Sequence, residues 1–255
     1  MNKITHFVVT DIVRNKIMIV YALLLAVLSW GVFSMEDNVS KGMLTILNLI
    51  LLNVPLVAVI FSTIYLYNSS EFVELLLSQP VKRSRIWWSL FSGLQIALLL
   101  AFILGAGIPI LVFSPDKLGL TMFVVGAMVN AIFVSLAFWG SILTRDKAKG
   151  IGMAILLWLF FALLFDGLIL FFLFQFSDYP IEKFMVVLSA LSPIDLSRIL
   201  VLLQMDVSAM LGYTGAIFRE FFGTGFGIGI CFFNLILWIV SPFLFSLRKF
   251  KRKDL

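Results

Sequence analysis

At 255 residues, 62% hydrophobic and 13% charged, with a mean hydropathy of +1.10, the chain is far more apolar than a soluble domain, where about a quarter of residues are charged. Its net charge of +5 does not point to nucleic acid, because the basic residues sit beside the apolar stretches, as they do in membrane proteins. Cys231 is the only cysteine and His6 the only histidine, which excludes an intramolecular disulfide, a cysteine zinc site and histidine-based triads or metal sites.

Residues 1–16 are too polar to span a bilayer. Ile4, Phe7, Val8, Ile12 and Val13 nevertheless recur at helical spacing against Lys3, Asp11, Arg14 and Lys16, the pattern of an amphipathic helix lying in the membrane interface. Six apolar stretches follow, at 17–35, 42–67, 86–113, 118–143, 151–176 and 226–247. Each approaches or exceeds the roughly 20 residues needed to cross about 30 Å of hydrocarbon, so the fold expected is an all-α polytopic membrane protein forming a single domain over 1–255. The first stretch is longer than a signal-peptide core, and no small-residue cleavage site follows it. It reads as a retained span.

Between the second and third spans lies NSSEFVELLLSQPVKRSR, residues 68–85. Asn68 with Glu71 three residues later forms a capping-box start, and Pro80 closes the element. Phe72, Leu75 and Leu76 fall on one helical face, and Glu71, Glu74 and Ser78 on another. Lys82, Arg83 and Arg85, then Trp87 and Trp88, read as basic charge and an aromatic belt where the chain re-enters the bilayer. A short acidic-faced helix held between two spans suits a protein partner; a helix that merely lies on lipid is the other reading.

Fourteen of the 19 Lys and Arg residues fall on the side of the membrane that holds both termini, and five on the other. The excess predicts that both termini are cytoplasmic. On the opposite side the loops are short, except for residues 177–225. There, 184–191 and 196–203 are apolar enough to form half-embedded helices, broken at Pro193 and again near Gly212–Gly215.

Enzymatic chemistry is poorly supplied. No G-x-x-x-x-G-K-[ST] motif occurs, so the chain is not its own P-loop ATPase, and no cofactor is expected. Gly223, Gly225, Gly227 and Gly229 form two G-x-x-x-G pairs, which point to close helix packing rather than a nucleotide loop. Asp166 is the one carboxylate well inside a span, about 22 Å along a helix counted from Ile151 at 1.5 Å per residue. It is a functional acid by default, or else a capped or paired group where the helix breaks at Gly167. Met205 and Met210 lack any neighbouring His or Cys, and Met18, Met35, Met43, Met122, Met128, Met153 and Cys231 are scattered, so no metal site is predicted.

An amphipathic entry helix, six spans, a helical loop after the second and a long outer segment before the last resemble the permease subunits of ABC-2 type transporters. The run SEFVELLLSQPVKRSRI resembles that family's coupling helix, where a carboxylate precedes L-L-x-x-P-x-x-R. Ser192-Pro193-Ile194-Asp195-Leu196-Ser197-Arg198 and Asp206-Val207-Ser208-Ala209 with Gly212-Tyr213-Thr214-Gly215-Ala216 look like the NosY branch, the permeases of nitrous-oxide-reductase maturation. Ser192 stands where that branch is expected to carry Asn, and the small-basic pair usual early in the third span is replaced near Ser89-Leu90. The resemblance implies a homodimer in the bacterial inner membrane, carrying a separate cytoplasmic ABC ATPase that binds the ATP, and a periplasmic copper-handling partner. It casts Glu71, Phe72, Glu74, Leu75 and Ser78 as ATPase-coupling residues. Asp195 and Arg198 become outer partner contacts or shape-fixing residues, which could instead pair with each other. Other ABC-2 exporters, for a peptide, lipid or antibiotic, and gliding-motility complexes share the general pattern.

Overall fold

Backbone polar groups in hydrocarbon must be satisfied within the protein, and long helices do this segment by segment. The computed structural model describes residues 2–36, 38–176, 182–205 and 224–252, and among these the regular structure is helical throughout. The helices are α1 (Asn2–Val13), α2 (Lys16–Met35), α3 (Val39–Asn68), α4 (Ser70–Leu77), α5 (Arg83–Phe102), α6 (Ile108–Phe113), α7 (Lys117–Leu143), α8 (Lys147–Leu159), α9 (Phe165–Gln175), α10 (Glu182–Leu191), α11 (Pro193–Leu202) and α12 (Gly225–Arg252). A π-helical turn, Ile103–Gly107, joins α5 to α6, and another, Phe160–Leu164, joins α8 to α9. Among the described residues, six helices are long and apolar enough to cross a membrane: α2, α3, α5–α6, α7, α8–α9 and α12. The chain is an all-α polytopic membrane protein. All six expected spans are present, and several begin earlier than their apolar stretches, at Lys16, Val39, Arg83, Lys117 and Lys147.

The axis of the bundle is α7. Its span is 72% buried, against 17% for α8–α9 and 22% for α12, which lie at the periphery. It packs on α3, α12, α5 and α11. Close approach rests on glycine at two points. A Cβ on Gly126 would lie 2.5 Å from the Phe102 ring, and one on Gly93 would lie 2.5 Å from Val8 Cγ1. The second contact seats α1: Val8 and Ile12 are buried, and the Thr5 and Ser92 hydroxyls are 3.3 Å apart. The amphipathic first helix is therefore present, but its apolar face covers α5 rather than lipid alone.

Four local expectations are revised. Trp87 does not belong to an aromatic belt: it is buried, stacks on Phe250 at 4.2 Å and donates its indole N–H to Ser246 Oγ at 3.0 Å. The chain does break at Ser192 and Pro193, but the helix expected at 196–203 begins three residues earlier, at Pro193, and eight of the ten residues of α11 are buried, among them Leu196, Leu200 and Val201. The helix around Asp166 does not break at Gly167 but runs on to Gln175. Among the described residues, nothing lies within 4 Å of a Cβ built on Gly225 or Gly229, so that pair packs no described neighbour. Gly223, the break near Gly212–Gly215, the second NosY-like motif and Met210 lie outside the described residues.

Candidate functional site

Two places collect the residues singled out above, one at each end of the bundle. The first is α4. Ser69 caps both α3 and α4 without a side-chain hydrogen bond, so the Asn68 capping box does not form. Asn68 instead closes α3, and its Oδ1 accepts from Lys147 Nζ at 2.7 Å. Tyr67 donates to the Thr144 carbonyl at 3.0 Å. These two bonds tie the junction before α4 to the α7–α8 loop and the first residue of α8. The short helix ends at Leu77, and the Ser78 hydroxyl turns back to the Leu75 carbonyl at 2.8 Å.

The inward face of α4 is Phe72, Val73 and Leu76 rather than Phe72, Leu75 and Leu76. Phe72 is half-buried and stacks on Phe7 at 5.1 Å, which brings α1 into the site. Leu75 is 66% exposed and stands with Glu71, Glu74 and Ser78 on the open face. An exposed leucine flanked by two carboxylates is an apolar anchor with charged guides on either side. Behind the helix is a cleft of about 340 Å³, lined by Tyr67, Val73, Glu74, Thr144, Arg145 and Phe250. Directly above it, Trp87, Trp88, Phe91, Phe138, Phe243 and Phe250 form an aromatic cluster that joins α5, α7 and α12.

The second place is at the far end of the bundle. Ser192 caps α11 by accepting the Asp195 N–H at 3.2 Å, and Pro193 supplies the first helical residue, which needs no donor. A serine thus does there what an asparagine would. Arg198 Nη1 donates to both Asp166 oxygens, at 3.0 and 2.8 Å, and reaches Asp195 Oδ1 at a longer 3.5 Å. The three candidates Asp166, Asp195 and Arg198 therefore form one cluster, linking α9 to α11. Asp195 is 4% exposed, which suits a shape-fixing role and not a surface contact; the Arg198 and Asp166 side chains are about a third exposed. At the end of α11, Gln204 Oε1 accepts from Thr121 Oγ1 at 2.9 Å, holding it to α7. Near this bond Met205 is buried. Among the described residues, no three His, Cys, Asp or Glu side chains are grouped to hold a metal.

Sequence reasoning missed three elements of these sites: the aromatic cluster, the α1 contact with Phe72, and the joining of Asp166 to α11. The last had no usable signal, because the π turn at Phe160–Leu164 re-phases the helix just before Asp166.

A polytopic helical bundle that displays a short acidic helix between its second and third spans has the layout of a transporter's membrane subunit. Residues 8–255 match the family described as ABC-2 family transporter protein, and the chain belongs to that family. Permeases of this family work with a separate cytoplasmic ATPase. A curated relative, the probable ABC transporter permease protein NosY of Pseudomonas aeruginosa, is 27% identical over 223 residues, covering 79% of this chain and 81% of that one.

Proposed function

We propose that this chain is the non-catalytic permease subunit of an ABC complex of the NosY type. A homodimer of it would sit in the bacterial inner membrane with both termini cytoplasmic, carrying the ATPase on α4. The observation that carries the reading is the open face of α4, where Glu71, Glu74, Leu75 and Ser78 project while Val73 and Leu76 anchor the helix to the bundle. The complex would couple ATP hydrolysis to extracytoplasmic copper-site maturation of nitrous oxide reductase, with a periplasmic copper-handling partner at the far end. The likeness to the NosY relative and the Ser192–Arg198 motif support that branch. An ABC-2 exporter for another substrate is the alternative, and it shares the same α4.

In this reading the subunit transmits motion rather than conducting copper. Soft thioether and thiolate ligands would have to recur along a Cu(I) path, and Met18, Met43, Met122 and Cys231 are each buried on a different span. Force entering at α4 passes through Pro80 into α5, through the aromatic cluster into α7 and α12, and along α7 to α11.

The test is the pair Glu71→Lys and Glu74→Lys introduced together. Reversing two exposed charges leaves the buried face intact, so the dimer is expected to insert normally and to lose permease-dependent ATPase stimulation. Undiminished stimulation and assembly would remove α4 from the mechanism.

A further inference from the structure

The cluster at the far end contains chemistry that force transmission does not use. Asp166 and Asp195 come from different helices, yet their carboxyls lie within hydrogen-bond reach of each other. One guanidinium serves both, with its two short bonds spent on Asp166 and only the 3.5 Å contact left for Asp195. Asp195 Oδ2 is buried and has no donor among the described residues. Two carboxylates against one guanidinium leave one negative charge uncompensated, at the most buried of the three groups.

A buried carboxylate oxygen without a donor carries a desolvation penalty, and two ionised carboxylates cannot bond each other because both only accept. Arginine cannot supply the missing proton, since it stays charged throughout. One added proton removes both faults, neutralising the cluster and turning an acceptor–acceptor contact into a donor–acceptor pair. We propose that Asp166, Asp195 and Arg198 form a proton-binding site, in which one proton held on Asp195 and shared with Asp166 completes the link between α9 and α11.

The assignment of the proton to Asp195 follows from the geometry, because Asp166 holds both short guanidinium bonds. Burial first, and then the adjoining Asp166 carboxyl, push the Asp195 carboxyl above the ordinary carboxylate range. Of the elements packed on α11, α10 carries Glu182 and Lys183 in its first turn, α3 carries Lys41, α7 begins at Lys117, and α12 has no charged residue before Arg248 at its other end. Among the residues whose side chains are described, the charged groups that act on Asp195 are Asp166 and Arg198. The folded chain then binds this proton more tightly than the unfolded chain does. The Asp195 contribution to stability is fully present below the ordinary carboxyl range and is lost as pH rises through the raised folded value.

Infrared titration of the purified full-length protein tests the site, because a protonated carboxyl has its own C=O stretch. At neutral pH the wild-type spectrum is expected to show one protonated carboxyl per chain, lost in Asp195→Asn and shifted in frequency in Asp166→Asn. The unfolding midpoint of Asp195→Asn, which keeps a neutral donor in place, is expected to lose the decline between acidic and neutral pH. A wild-type spectrum without a protonated carboxyl at neutral pH would overturn the proposal, and it needs no variant to fold. So would a band that survives Asp195→Asn, or an unaltered pH decline in that variant. None of these readouts involves the ATPase, so the proton site and the proposed complex stand or fall separately.

Discussion

Arg198 is the residue on which the far end of the molecule depends, because among the described residues it is the only cation bonded to two acids on separate helices. Replacing it with glutamine leaves the Asp166 carboxylate without its guanidinium. Fully buried pairs broken from one side lose about 3–5 kcal/mol, and exposed pairs about 1 kcal/mol or less. With side chains 31% and 33% exposed, the Arg198–Asp166 pair falls between these limits, and Arg198→Gln is expected to destabilise by about 2 kcal/mol. Combining it with Asp166→Asn should cost less than the two single losses added together, measured by unfolding in detergent; simple additivity would show that the two side chains do not interact. The Asp195–Arg198 pairing was legible at three-residue spacing, but it is the weaker of the two contacts. Asp166 lies 32 residues away in the chain, beyond any local periodicity, so neither its partner nor the direction it faces could be read from sequence.

Among the elements, the six spans were legible because hydrocarbon demands long apolar helices, and charged flanks mark their ends. The π turns were not legible, because an apolar run looks the same whether its turns hold 3.6 residues or more. Nor was the docking of α1, since an amphipathic face gives no indication of whether it meets lipid or protein. At α4 the period placed Phe72, Glu71 and Glu74 correctly but put Leu75 inward, because Val73 fills the place on the inner face instead. The α1 contact gives a sharp test. Gly93→Val would place a branched side chain where Val8 already lies 2.5 Å from a first carbon, so α1 must lift. Cross-linking between Thr5→Cys and Ser92→Cys, whose parent hydroxyls are 3.3 Å apart, is expected to fall sharply in the Gly93→Val background. Equal yields would mean that α1 is held by Phe7 on Phe72 and not by this notch.

For the whole molecule, the two ends differ in kind. One end gathers α1, α4, the α7–α8 loop and the basic last turn of α12, with Lys249, Lys251 and Arg252. The other gathers α10, α11 and the acid–guanidinium cluster, held by bonds such as Thr121 to Gln204. The closely packed α7 connects them, and since close-packed interiors transmit strain it is the member through which the proposed coupling would pass. Charge predicts the orientation: on the expected topology, fourteen Lys and Arg residues fall on the side of both termini and five on the other. A reporter active only in the cytoplasm is expected to work when fused after Leu255, and one active only in the periplasm when placed between residues 180 and 212. Reversed activities would put α4 outside, out of reach of any ATP-hydrolysing partner, and the coupling proposal would fall with the topology.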